Sequence, residues 1–112
     1  MSERDVSLAW LLLICAGLFE VGFAVLLKAS LGFTRLWPTL GFIVFAALSF
    51  GFLARAVTTL PIGTAYVVWV GIGALGTVLV GILFYGDAVT PARLFFIGLL
   101  LVSLVGLKLV SD

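Results

Sequence analysis

Four apolar stretches, at residues 8–28, 36–54, 60–85 and 92–110, take up most of this 112-residue chain. A helix needs about 20 residues to cross a hydrocarbon core of roughly 30 Å, and each stretch meets or nearly meets that length. Only 10% of the residues are charged and 64% are hydrophobic, whereas a soluble domain carries about 25% charge. The expected fold is an all-α integral membrane protein: one transmembrane domain over residues 1–112, with four transmembrane helices per subunit.

The short connections hold most of the remaining charge: Arg35, Arg55, Asp87 and Arg93. Pro38, Pro61 and Pro91 each fall at an expected helix start, where a missing N–H does no harm. Thr90 is placed to cap the fourth helix. The third span is long for an upright helix, and Gly71, Gly73, Gly76 and Gly81 crowd its second half. A tilt, or a bend at these glycines, accommodates the length. The N-terminal apolar run is longer than the core of a secretory leader and lacks an A-x-A cleavage pattern, so it reads as a retained helix. Cys15 stands alone in that helix, which excludes a disulfide framework and metal-ligand spacing. No cofactor is expected. A net charge of +1 gives no reason to expect nucleic acid as a partner.

Four spans put Arg4, Arg55 and Lys108 on one side of the bilayer and Lys28, Arg35 and Arg93 on the other. Three against three leaves no positive-inside bias to choose an orientation. The plain reading is one weakly specified topology. The sharper one is dual topology, with copies inserted both ways up and paired antiparallel. Transporters often build alternating access from inverted repeats. This chain has no second half to supply one, but a second copy would.

Glu20 is the only acid between Asp5 and Asp87, and the chain has no histidine. An ionisable group at the bilayer centre costs ~2.5–3.5 kcal/mol on insertion scales, and such groups mark ion or substrate pathways. The plain alternative is a structural acid kept neutral. Helical spacing sets Leu13, Gly17 and Ala24 on or near its face, a narrow stripe that lets another helix approach. On the third helix Gly63, Tyr66, Trp69, Gly73 and Gly76 share a face. Ser49 is the deepest polar residue of the second helix, flanked by Phe45, Phe50 and Phe52. Tyr66 and Trp69 are equally readable as packing aromatics, and Ser49 as a hydroxyl bonded back to its own helix.

Chemistry links these residues. Two Glu20 side chains facing each other in a dimer titrate as a coupled pair. A cation entering between them displaces protons, so one site exchanges cation for proton. Trp69 and Tyr66 offer ring faces to a desolvated cation, worth about 2 kcal/mol, and Ser49 is placed to orient a carboxylate oxygen.

The stretches GLFEVGFAVLLKASLGFTRLWPTL (17–40) and TLPIGTAYVVWVGIGALGTVLVGILF (59–84) resemble the small multidrug resistance family. KASLGFTR (28–35) and PIGTAYVVWVGIGALG (61–76) are more similar to its guanidinium-exporter branch than to its promiscuous quaternary-ammonium branch. The resemblance implies an antiparallel dimer in the bacterial inner membrane that exports guanidinium ion in exchange for protons. It implies that Glu20 binds both, that Gly17, Ser49, Tyr66 and Trp69 line the site, and that Ser49 braces the glutamate. Phe23 stands where guanidinium exporters often carry tryptophan, keeping a ring face but losing the indole donor. The fourth helix, which builds the family's dimer interface, has Gly98, Ser103 and Gly106 rather than a regular glycine heptad. Self-pairing and pairing with a related subunit both stay open. Guanidinium is planar and donates in parallel to carboxylate oxygens, so the expected cargo is guanidinium and small substituted guanidinium ions. The alternatives are a multidrug exporter of quaternary ammonium or aromatic cations, and a membrane assembly subunit that transports nothing.

Overall fold

The computed structural model describes residues 3–111. They form four helices in chain order: α1 (Glu3–Ala29), α2 (Leu36–Ala56), α3 (Ile62–Phe84) and α4 (Pro91–Ser111). Each is long and apolar enough to cross a membrane. At 1.5 Å per residue they measure roughly 30–40 Å. α1 begins five residues before Leu8, and its first turn carries Glu3 and Asp5, acids that complement the positive helix end. α3 begins at Ile62 rather than residue 60, with Pro61 at its N-cap. Pro91 is the first residue of α4. Thr90 Oγ1 accepts the Arg93 amide at 3.1 Å, so the cap forms as expected.

The turns are built from specific hydrogen bonds. Between α1 and α2 the backbone turns through left-handed φ at Leu31, Gly32 and Phe33, costly for the two side-chain-bearing residues. Buried Ser30 holds the turn: its hydroxyl donates to Leu27 O at 2.7 Å and accepts the Phe33 amide at 3.0 Å. Between α3 and α4, Gly86 at φ +70° reverses the chain so that the Asp87 amide donates to Gly81 O at 3.0 Å.

α1 is the hub, packed against α2 and α3, while the backbone of α4 approaches only α3. Trp10, Leu13, Ala16, Ala65, Val68, Trp69 and Leu104 make up much of the core. Small residues set how closely the helices approach. A Cβ on Gly17 would overlap Ile72, one on Gly76 would overlap Val21, and one on Gly71 would overlap Leu104 of α4. Gly71 and Gly76 thus serve as seats for side chains of other helices, and α3 runs as one helix through all four of its crowded glycines. The molecule is a slab, 45 × 36 × 18 Å. Its broad faces carry large apolar side chains, among them Leu18, Val44, Phe95, Phe96 and Val102, as a lipid-facing surface requires.

Candidate functional site

The site grows from the α1–α3 contact. Gly73 lacks a Cβ at the point where the Glu20 side chain leaves α1, and Glu20 Oε1 fills that space. Any larger residue at 73 would overlap the carboxylate. Oε1 is buried and has no hydrogen-bond partner among the described residues. An unpaired buried oxygen is costly and marks a place where a donor belongs.

One turn before Glu20, a three-helix junction fixes α1. Ser49 of α2 is fully buried. Its hydroxyl donates to Ala16 O of α1 at 2.6 Å and accepts the indole N–H of Trp69 from α3 at 2.9 Å. Ala16 O is also the i−4 acceptor for the Glu20 amide within the helix. Ser49 was expected to orient a carboxylate oxygen or bond back to its own helix. It does neither, because its single proton goes to a different helix. It braces the backbone turn that carries Glu20, not the carboxylate.

An aromatic run lies beside this junction. Phe50 sits 5.3 Å from Trp69 and 6.2 Å from Phe23, while Tyr66 sits 5.8 Å from Trp69. Phe42 extends the run at 5.6 Å from Phe23, and Phe33 lies 5.4 Å beyond it. Trp69 is buried, but Tyr66 and Phe50 are more than half exposed, so the run opens onto a face of the single chain. Only Phe50 of the three phenylalanines expected around Ser49 joins it. Phe45 and Phe52 pack on Phe19 instead, at 5.5 and 5.6 Å.

The other expected residues divide in two. Gly17 is buried against Ile72 at the α1–α3 crossing, one turn from Glu20. Gly98 and Gly106 have no atom within 4 Å of a built Cβ, and Ser103 is exposed. Those three lie on the outer surface of α4, away from Glu20's contacts. Sequence reading passed over Phe42 and Thr77. Thr77, one turn beyond Gly73, is the only hydroxyl in the second half of α3, a signal that was available.

Comparison with known proteins agrees with this architecture. Residues 8–100 match the Small Multidrug Resistance protein family. A guanidinium exporter from Citrobacter freundii is 47% identical over 102 residues, covering 91% of this chain and 97% of the relative. One from Yersinia pseudotuberculosis serotype I is 48% identical over 104 residues, covering 93% and 100%. A third, from Salmonella typhimurium strain LT2, is 46% identical over 102 residues, covering 91% and 97%.

Proposed function

This chain belongs to the small multidrug resistance family, and from that premise we propose that it exports guanidinium ion in exchange for protons. It is a multi-pass membrane transporter, which sets aside the non-transporting subunit. The observation that carries the proposal is the seat of Glu20. The only acid between Asp5 and Asp87 holds a buried oxygen with no donor among the described residues, one helical turn from the Ser49–Trp69 junction. That oxygen can take up a proton or accept a guanidinium N–H. Because both need the same oxygens, one leaves as the other arrives. Guanidinium delivers charge and parallel donors together, and the rings of Phe50, Trp69 and Tyr66 flank its path with π-faces.

With Tyr66 and Phe50 more than half exposed, a single chain leaves this site open on one face. The balanced charges at the two ends favour insertion both ways up, and a partner in the opposite orientation closes the open aromatic face. The surface of α4, where Ser103 is exposed and a Cβ on Gly98 or Gly106 would meet no neighbour within 4 Å, is the natural place for that partner. The bacterial relatives support a location in a bacterial inner membrane.

The breadth of the ring run supports a second reading, export of bulkier aromatic or quaternary ammonium cations. One experiment separates the two: uptake driven by a pH gradient in proteoliposomes, with guanidinium and a bulky quaternary ammonium side by side. The first reading expects guanidinium to be carried in preference, and Glu20→Gln to abolish transport. Preference for the quaternary cation favours the second reading. Full transport by Glu20→Gln refutes both.

A further inference from the structure

The end of the molecule that carries the start of α1 and the α2–α3 turn holds a cavity of about 330 Å³, within the ~300–1,000 Å³ range of small-molecule sites. Asp5, Leu8 and Leu12 line it from α1, at a spacing that puts them on one helix face. Arg55, in the last turn of α2, lines it together with Thr58 and Thr59 from the turn that follows. Arg55 also borders a second cavity, of about 220 Å³, whose other lining is Ala47, Leu48, Gly51 and Phe52. By helical spacing these residues form a stripe that runs from Arg55 roughly 12 Å along α2, toward the middle of its span.

The two cavities differ in chemistry and share one cation. Apart from Arg55 the inner stripe is apolar, and a Cβ on Gly51 would meet no neighbour within 4 Å, so it is a shallow groove. The outer cavity sets one carboxylate against one guanidinium and adds two hydroxyls. Among the described residues the Arg55 guanidinium has no hydrogen-bond or ion-pair partner. Nor is it needed to cap its own helix. Arg55 O accepts the Thr58 hydroxyl at 2.6 Å and the Thr58 amide at 3.2 Å, and Ala56 O accepts the Thr59 and Leu60 amides at 3.1 and 2.9 Å. The turn closes on its own backbone and leaves the guanidinium for a ligand, and a planar guanidinium fork fits a phosphate. A carboxylate accepts several donors at once, so Asp5 can take an ammonium in addition to its contact within the chain. With both signs present and no net charge, the cavity suits a zwitterion better than an anion.

We propose that Arg55 holds the phosphate, and Asp5 the ammonium, of a phospholipid whose headgroup ends in a primary amine, with an acyl chain laid along the stripe of Ala47, Leu48, Gly51 and Phe52. Phosphatidylethanolamine has that chemistry. The order of the cavities matches the order of such a lipid, with charge at the end of the bundle and an apolar groove toward the membrane interior. The Thr59 hydroxyl, also unengaged among the described residues, is available to a phosphate oxygen. A quaternary headgroup has no N–H for Asp5, and an anionic one meets its repulsion. Neither cavity is lined by Glu20, Ser49, Tyr66 or Trp69, so the lipid site stands whatever the carboxylate carries. A bound lipid ties the start of α1 to the α2–α3 turn.

Purified protein in detergent is titrated with phosphatidylethanolamine, phosphatidylcholine and phosphatidylglycerol of identical chains, and bound lipid is counted by native mass spectrometry. The expected result is phosphatidylethanolamine ahead of both others by about tenfold, the low end for a hydrogen bond to a charged group. Asp5→Asn should remove the preference over phosphatidylcholine while phosphatidylcholine itself binds as before. Arg55→Gln should weaken all three lipids by a similar factor. Arg35→Gln, at the other end of the molecule and outside both cavities, should bind as wild type, which separates a site from the general attraction of cations to lipid. Asp5 and Arg55 are exposed, and an unchanged helical circular dichroism spectrum shows that the variants are folded. If the three lipids bind alike, if the preference survives Asp5→Asn, or if Arg35→Gln weakens binding as much as Arg55→Gln, the site is refuted. Displacement of the lipid by inorganic phosphate alone reduces it to a free-anion site and also overturns the proposal.

Discussion

Ser49→Ala removes one hydroxyl that serves two helices. The Trp69 indole N–H loses its acceptor, and Ala16 O loses one of its donors. The losses are unequal, because Ala16 O keeps the Glu20 amide of its own helix. The indole keeps nothing. Ser49 is 0% and Trp69 is 6% exposed, so no water replaces the missing partner. An orphaned buried donor costs ~1–3 kcal/mol, but side-chain hydrogen bonds in membrane proteins average only ~0.6 kcal/mol, with a maximum near 1.7. Full burial places this pair near the upper end, so a coupling of about 1.5 kcal/mol is expected, roughly a 12-fold change in the folding equilibrium. The assay is a double-mutant cycle of Ser49→Ala and Trp69→Phe, followed by unfolding in mixed micelles with a denaturing detergent. Ser49→Ala should be much less costly in the Trp69→Phe background than in the wild type. A coupling below ~0.3 kcal/mol, the range of independent sites, would refute the claim that these residues form one junction.

Gly73→Ala places a Cβ where Glu20 Oε1 lies. Overpacking of about 1–3 kcal/mol corresponds to guanidinium binding weakened roughly 5- to 150-fold. Gly63→Ala, with no neighbour within 4 Å, should bind as wild type in the same titration. Thr90→Ala removes the α4 cap at a cost of ~1 kcal/mol. Because the backbone of α4 approaches only α3, the loss should appear as faster hydrogen exchange confined to the first turn of α4. A Cβ at Gly106 meets nothing within 4 Å in its own chain, so Gly106→Leu adds its bulk to an open stretch of α4. A shift from dimer to monomer, read by subunit counting in liposomes, is therefore expected to come from a second copy; an unchanged dimer would move the interface elsewhere.

The helices were legible because apolar length and turn chemistry agree. Pro61 and Pro91 mark two starts, and Thr90 is both the expected and the observed cap. Glu20 stood out because no other acid lies near its depth in the chain. What sequence spacing could not supply was which face meets which helix. Ser49 bonds to Ala16, 33 residues away, and only the packing of α2 on α1 decides that its proton goes there. Phe45, Ser49 and Phe52 share a face by spacing, yet the crossing sends both phenylalanines to Phe19 and leaves Phe50 with Trp69. The crowded glycines of α3 invited a bend. Three of them seat Leu104, Glu20 and Val21, and room for a neighbour and freedom to bend look alike in a string of letters.

Proton release on guanidinium binding tests the shared-carboxylate account most directly. Purified protein in weakly buffered detergent at mildly acidic pH is titrated with guanidinium chloride while the solution pH is followed. The account predicts that wild-type protein acidifies the medium as it saturates, and that Glu20→Gln neither binds guanidinium nor releases protons. Saturable binding with no acidification, or undiminished binding by Glu20→Gln, would contradict it.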